Sequence, residues 1–243
     1  MSAGFSTTRW SQVLAARDGS DTAARDALET LCQTYWHPLY AFVRRQGYDP
    51  DAARDLVQAY FAELLEKHFL GAVDPARGRF RSFLLGSLKH FLSHERDRER
   101  ALKRGGNARI LSLDEGTDAP GLELPASDQL TPEEAFERQW AWTVLERALA
   151  RVRKAARESQ GQAQLEVLEP HLTGDAGRTP YSEVAEQLGL SEGAVRAAVL
   201  RLRKRFGRAL RAEIAQTVAD SADVDDEVRR LLTVVRPWQK GPP

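Results

Sequence analysis

The chain has 243 residues with 35 basic and 35 acidic side chains, so its formal net charge is zero. With 42% hydrophobic and 29% charged residues, it has the composition of a globular protein rather than a disordered one. No uncharged stretch is long enough to span a membrane, and the N-terminus lacks a secretory pattern. The single cysteine, Cys32, excludes an intramolecular disulfide and a cysteine-based zinc site. We therefore expect a soluble, cytoplasmic protein.

The charges cancel in total but are segregated along the chain. Basic residues dominate 77–104 and 193–212, and an acidic stretch follows each of them, at 111–137 and 213–228. The second basic stretch contains seven bases and no acid. Such clustering is typical of a protein that binds a polyanion at two places, although solvated helix faces produce it as well.

Apolar residues recur at helical spacing along most of the chain, and alternating β-branched runs are absent, so the sequence predicts an all-α fold. Glycine and proline predict turns at 47–50 and 73–78, with Asp51 as the cap of the helix after the first turn. Glycines, prolines and acidic residues fill 105–131, which we interpret as a flexible linker.

These features divide the chain into two small helical domains, the acidic linker between them and an acidic tail. Their ranges are 1–104 and 132–212 for the domains, 105–131 for the linker and 213–243 for the tail. Thr131 and Glu134 have the spacing of a capping box at the start of the second domain. The tail is expected to form a short docked helix or to remain mobile. If it folded over the basic helix before it, it would hold that helix away from DNA.

The stretch from Tyr181 to Val195 has the layout of a helix-turn-helix. Gly189 permits the positive φ of the turn, and Ser191 can cap the second helix. The predicted apolar seam between the two helices consists of Val184, Leu188, Leu190 and Val195. The second helix continues to Ala212 with an apolar stripe on one side and bases on the other, as in a helix that enters the major groove. The predicted stripe consists of Val195, Val199, Leu202, Phe206 and Leu210.

A second nucleic-acid signal lies in the first domain, where Phe80, Phe83 and Phe91 are interleaved with basic residues. Aromatic faces stack on unpaired bases while cations hold the backbone, so this segment is a candidate for gripping a single strand. The alternative is that the three rings belong to the core of the domain.

Three ordered motifs resemble those of a bacterial RNA polymerase sigma factor of the extracytoplasmic-function type. Residues 51–65 are similar to the helix that binds core polymerase, and 74–84 to the loop and helix that capture the −10 promoter element. The helix-turn-helix is similar to the region that reads the −35 element. The resemblance covers about 30–104 and 136–212. The runs at 35–40 and 79–83 also resemble a subgroup that carries an extra C-terminal tail.

The resemblance implies a role and a set of residues for each motif. The residues that would bind core polymerase are Asp55, Gln58 and Glu63. Those that would bind the melted −10 strand are Arg79, Phe80, Arg81, Lys89, His90, Ser93 and Arg96. Those that would bind the −35 duplex are Ser191, Glu192, Arg196, Ala197, Arg201 and Arg203. The implied function is promoter-specific initiation of transcription, with core polymerase and promoter DNA as partners and an anti-sigma factor as a further partner that the resemblance allows.

Other classes of function stay open at this point. The main alternative is an operator-binding helix-turn-helix regulator that works without polymerase, and another is an adaptor whose basic faces bind acidic proteins. No phosphate-binding loop or nucleophile–base signature is present, so we expect neither an enzyme nor a cofactor. His90 and His94 have the i,i+4 spacing of a zinc pair, but no third ligand accompanies them, so no metal site is predicted.

Overall fold

The structure is a computed structural model that describes residues 22–66, 80–104, 130–172, 179–218 and 220–235. Within these ranges the chain is helical and contains no β-strand, which confirms the all-α prediction for this part of the chain. None of the described helices combines the length and hydrophobicity that a membrane span requires. The predicted turn at 73–78 and nearly all of the predicted linker lie outside the described residues.

The described residues form eight α-helices. They are α1 (Thr22–Arg45), α2 (Pro50–Glu66), α3 (Phe80–Arg104), α4 (Pro132–Glu158), α5 (Gln162–Leu168), α6 (Tyr181–Leu188), α7 (Glu192–Ala215) and α8 (Val224–Val235). The chain divides into two units, of which the first is Met1–Trp140 with Thr217–Asp220 and the second is Ala141–Gln216 with Ser221–Pro243.

Local hydrogen bonds explain where two of the helices begin. At the start of α4, the hydroxyl of Thr131 accepts the N–H of Glu134 at 3.2 Å, and the Glu134 carboxylate accepts the N–H of Thr131 at 2.8 Å. This confirms the predicted capping box. At the start of α2, the N–H of Ala52 donates to the carboxylate of Asp49 at 2.8 Å. The cap is therefore Asp49, since the predicted Asp51 already lies inside the helix.

The first unit is built on α1, α2, α3 and the first turns of α4. The first three helices contact one another. The ring of Tyr35 lies at its centre, 5.1 Å from the ring of Phe80 and 6.4 Å from that of Phe136. Phe136 and Trp140 are completely buried. Because these two side chains fill the core, residues 132–140 belong to the first unit, whereas the sequence predicts a second domain that begins at residue 132.

The second unit contains the rest of α4 and the helices that follow. Val152 of α4, Leu165 of α5, Val184 of α6 and Leu202 of α7 share one buried cluster. The last helix, α8, packs against α7 and buries Leu231 completely. Of the two alternatives for the tail, the docked helix is the one found within the described residues.

Candidate nucleic-acid interface

The turn between α6 and α7 has the backbone geometry that the sequence predicts. Gly189 has φ of +64°, and the N–H of Leu190 reaches back to the carbonyl of Ala185 at 2.9 Å, as in a Schellman-type helix end. The hydroxyl of Ser191 then accepts the N–H of Ala194 at 3.3 Å and caps α7. The predicted turn at Gly189 and the predicted helix cap at Ser191 are both confirmed.

The predicted seam between the two helices is mostly, but not entirely, buried. Val184 and Val195 are buried and Leu188 is half-buried, as expected for packed helices. Leu190 is 38% exposed, so its assignment to the seam is wrong. It follows the left-handed Gly189 and precedes the start of α7, so it belongs to neither of the two packed faces.

Helix α7 has an apolar face and a charged face along its length. Four residues of the predicted stripe are buried and Phe206 is half-buried, which confirms the predicted apolar side. The four buried residues are Val195, Val199, Leu202 and Leu210. The basic side chains of α7 project from the remaining surface of the helix, where they are exposed to solvent.

Three of the bases on α7 are bound within the protein. Arg196 forms an ion pair with Glu192 at 3.2 Å, one turn earlier on the same helix. Arg203 donates to the backbone carbonyl of His171 at 2.9 Å and so ties α7 to the segment before the turn. Arg211 forms an ion pair with a carboxylate of α8. We conclude that Arg203, predicted to bind the −35 duplex, already has a structural partner.

The other four bases of α7 have no ion pair or hydrogen bond with any residue that the structure describes. These four unpaired cations are Arg201, Lys204, Arg205 and Arg208, and all are exposed. Their spacing of three, four and seven residues places them along one strip of the helix. Uncompensated cations on a rigid helix raise the local positive potential, which attracts a polyanion. Only Arg201 belongs to the predicted set, although the acid-free basic run in the sequence already contained the signal for the others.

The remaining residues predicted for the −35 duplex lie at the start of α7. Ser191 and Glu192 are exposed, and Ala197 is half-buried. The structure therefore brings most of the predicted residues to one end of the helix, next to the unpaired cations.

The structure corrects two of the residues predicted to bind the melted −10 strand. Phe80 is completely buried, with its ring against that of Tyr35. Arg81 is 4% exposed, forms an ion pair with Glu137 of α4, and lies 4.9 Å above the ring of Trp140. A buried ring cannot stack on a base, and a neutralised, buried guanidinium cannot reach a phosphate. The predicted contacts of Phe80 and Arg81 are therefore wrong for this structure.

The aromatic residues of α3 belong to the core as a group. Phe83 is 8% exposed and Phe91 is 9% exposed, and the ring of Phe91 lies 5.7 Å from that of Tyr60. Burial raises the pKa of Tyr60, whose hydroxyl donates to the carbonyl of Leu84. Of the two interpretations of these phenylalanines, the core is the one that the structure supports.

The other predicted −10 residues within the described chain are exposed on α3. These are Lys89, His90, Ser93 and Arg96. Lys89 lies 2.6 Å from the carboxylate of Glu133, and Arg96 donates to the hydroxyl of Tyr48 at 3.0 Å. Arg79 lies outside the described residues. The two cations of this surface are therefore engaged within the protein, in contrast to the unpaired cations of α7.

The two histidines on α3 do not assemble a metal centre with other described residues. The rings of His90 and His94 lie 4.5 Å apart. No group of three or more His, Cys, Asp or Glu side chains that could hold a metal ion occurs in the described part of the chain. The pair is thus an exposed feature of α3 beside Ser93.

The predicted polymerase-binding residues lie on α2. Asp55 and Gln58 are exposed and Glu63 is half-buried. On the opposite side of the helix, Tyr60 and Leu64 are each 3% exposed. A polar face is thus presented on a helix whose other face is fixed in the core.

The acidic residues of the tail do not cover the unpaired cations of α7. Asp225 forms an ion pair with Arg211, at the far end of that helix from the turn. Asp226 pairs with Arg229 within α8 itself. The tail therefore packs on α7 and pairs with Arg211, but within the described residues its acids do not pair with these four cations.

No family model, curated protein or solved structure matches this chain. The interface must therefore be judged on its own geometry and charge. On that basis α7, with its capped start and four unpaired cations, is the strongest candidate for contact with nucleic acid.

Proposed function

We propose that the chain is a sigma factor of the extracytoplasmic-function type, which binds core RNA polymerase and directs it to specific promoters. The observation that carries the proposal is the capped helix-turn-helix whose second helix presents four unpaired cations. A helix of this kind fits the major groove, which is about 12 Å wide. Phosphate contacts position such a helix on the duplex, and base contacts provide its specificity.

In this proposal the two ends of α7 have different tasks. Ser191, Glu192 and Arg196 lie at its start, where a recognition helix meets base edges. Arg196 carries the fork of donors that suits guanine, and its partner Glu192 can accept a hydrogen bond from cytosine. The unpaired cations lie further along the helix and would bind phosphates on either side of the groove.

The polymerase contact is assigned to α2. Asp55 and Gln58 are exposed on a helix held in place by its buried face. By resemblance, they would bind the clamp helices of the largest polymerase subunit. Rigid support of this kind lowers the entropy lost on binding, because the contact side chains are already presented on an ordered element.

In this proposal the exposed residues of α3 bind the melted −10 strand. His90 and Ser93 are accessible there, while Lys89 and Arg96 must exchange an internal partner for a phosphate. We therefore expect the isolated chain to bind DNA weakly, with polymerase supplying much of the affinity.

The test is to mix the full chain with bacterial core RNA polymerase and to measure co-elution by gel filtration. We expect co-elution with the wild type and its loss in the double variant Asp55→Ala/Gln58→Ala. A matched control is Glu158→Ala/Gln162→Ala, which removes an exposed acid and an exposed amide from the second unit. The variant Arg201→Gln/Arg208→Gln should keep co-elution but lose promoter-dependent transcription.

The opposite result would identify a different class of protein. If no complex forms and the free chain instead shifts one specific duplex, the protein is an operator-binding regulator. In that case the assignment of Asp55 and Gln58 to polymerase would be wrong, while the role of α7 would stand.

A further inference from the structure

A small pocket of about 240 Å³ opens in the second unit beside the unpaired cations of α7. Its floor is formed by buried side chains of three helices, including Val152 of α4, Leu165 of α5 and Leu202 of α7. Arg201 and Arg205 of α7 also line the pocket, and both are exposed. The pocket thus combines two cationic side chains with a small apolar floor, and its accessible lining is more polar than apolar.

No carboxylate among the described residues balances the charge of this pocket. Arg201 and Arg205 are one turn apart on α7, and like charges at that spacing destabilise a helix. Neither has a partner among the described residues, and no carboxylate is found among the residues that line the pocket. A bound anion would relieve the repulsion between the two guanidinium groups.

The other polar groups at the rim are neutral. The hydroxyl of Ser159 donates to the carbonyl of Ala155 at 2.9 Å, so its proton is not available to a ligand. The side-chain amide of Gln164 is exposed and can donate a hydrogen bond. Recognition of an anion therefore falls mainly on the two guanidinium groups, whose planar forks match the oxygens of a phosphate.

We propose that this pocket binds the phosphate group of a phosphate ester, with Arg201 and Arg205 holding the phosphate oxygens and the apolar floor contacting the organic part. Two sources have this chemistry, a small phosphorylated molecule and the backbone of DNA. If the source is DNA, the inference rests on the proposed function and assigns one backbone phosphate to Arg201 and Arg205 together at this pocket. If the source is a small molecule, it is independent of that function.

The test is calorimetric titration of the full chain with inorganic phosphate and with phenyl phosphate, at an ionic strength held constant with sodium chloride. We expect phenyl phosphate to bind more tightly than inorganic phosphate, because only its ring can contact the floor. Arg201→Gln and Arg205→Gln should each weaken binding about tenfold, the scale of a lost hydrogen bond to a charged group. Both residues are exposed, so the variants should fold, and circular dichroism verifies it.

Arg208→Gln is the matched control, because Arg208 is another unpaired cation of α7 that does not line the pocket. Its binding of phenyl phosphate should equal that of the wild type. Equal losses in Arg205→Gln and Arg208→Gln would indicate diffuse attraction to a basic surface and would overturn the inference. The inference would also be overturned if neither inorganic phosphate nor phenyl phosphate gave any heat of binding.

A competition experiment then separates the two sources. If saturating phenyl phosphate displaces a fluorescent duplex from the full chain, the pocket receives a backbone phosphate; if the duplex stays bound, the pocket serves a small phosphorylated molecule. The inference and the proposed function fail in different ways. If the chain co-elutes with polymerase but does not bind phosphate, only the proposal of a phosphate-binding pocket is wrong. If it binds phosphate but does not co-elute, only the proposal that it is a sigma factor is wrong.

Discussion

At the scale of single residues, burial changes what a charged side chain can do. Arg81 has the same side chain as Arg201, but it is 4% exposed and paired with Glu137, whereas Arg201 is exposed and has no partner among the described residues. A buried ion pair is costly to break, because the partner left behind is a charge without water or a counter-ion. Arg81 therefore stabilises the first unit, and Arg201 is free to bind a ligand.

This difference predicts the effect of removing each acidic partner. Glu137→Ala should lower the free energy of unfolding by about 3 kcal/mol, since it leaves the Arg81 guanidinium buried without its partner. Glu133→Ala, which breaks the exposed pair with Lys89, should cost less than about 1 kcal/mol. Urea unfolding of the full chain, followed by circular dichroism, measures both. Equal losses in the two variants would contradict the assignment of Arg81 to the core.

The single cysteine provides a second prediction at this scale. Cys32 is 5% exposed, and burial, with a smaller effect from the charge of Glu29, raises its pKa to about 12. At pH 8 the thiolate is then about one ten-thousandth of the population, and the thiolate is the reactive form. We expect native protein to react with a thiol reagent many times more slowly than urea-unfolded protein. Rapid reaction of the native chain would show that Cys32 is accessible.

At the scale of elements, the start of α4 is defined by the capping box. Hydrogen bonds from the backbone N–H and the hydroxyl of Thr131 hold the pKa of Glu134 below its ordinary value. A lowered pKa in the folded state means that the ionised carboxylate stabilises the fold. This contribution is fully present above the unfolded pKa of about 4.3, and it is lost as the pH falls through the lowered folded value.

The corresponding prediction concerns the amide proton of Thr131. Its chemical shift should titrate with a midpoint below the ordinary pKa of glutamate, because its acceptor becomes protonated there. In Glu134→Gln the amide can still form the capping box but does not ionise, so this titration should disappear. Proton–nitrogen correlation spectra across an acid titration measure the shift. A midpoint at the ordinary glutamate value would mean that the hydrogen bonds are not formed in solution.

The domain to which the start of α4 belongs could not be predicted from neighbouring residues. The start of this helix can be predicted from Thr131, Pro132 and Glu134, because capping depends on residues that are neighbours in the chain. They do not indicate which core the helix joins. Phe136 and Trp140 bring its first turns into the first unit, and that is decided by contacts with Tyr35 and α3, which are distant in sequence.

At the scale of the whole molecule, zero net charge coexists with a localised cationic surface. Most of the bases described on α3 form ion pairs with carboxylates, which reduce the positive field outside the protein. The four unpaired cations of α7 are not compensated in this way. Among the surfaces that the structure describes, the strip on α7 should therefore contribute more to DNA binding than the overall charge does.

Salt dependence tests that expectation. Each phosphate neutralised on duplex DNA contributes about −0.9 to the slope of log K against log salt, so four contacts give about −4. The variant Arg201→Gln/Arg208→Gln should reduce the slope by about 2. The control variant Arg98→Gln/Arg100→Gln should leave the slope unchanged, because these two arginines already form ion pairs within α3. Fluorescence anisotropy with a duplex at several salt concentrations measures the slopes. Equal reductions in the two variants would indicate that binding is spread over the surface.

The sequence by itself determined what depends on neighbours along the chain. The helical periodicity, the left-handed Gly189, the cap at Ser191, the capping box and the apolar stripe of α7 were all predictable, because each follows from residues within a few positions of one another. The acid-free run of bases on α7 was equally visible. Three of the four unpaired cations were not among the residues predicted to bind the −35 duplex. Those residues were chosen by resemblance to a motif, which does not indicate whether a counter-ion lies nearby.

Tertiary structure alone decided which charged and aromatic residues are accessible. Phe80 and Arg81 lie in a basic, aromatic stretch that is typical of a single-strand contact, yet Tyr35, Glu137 and Trp140 enclose them. The partners of a side chain depend on segments up to about a hundred residues away, and periodicity carries no information about them. For the same physical reason the pocket beside Arg201 could not be predicted from the sequence, since its lining comes from three helices and contains no carboxylate.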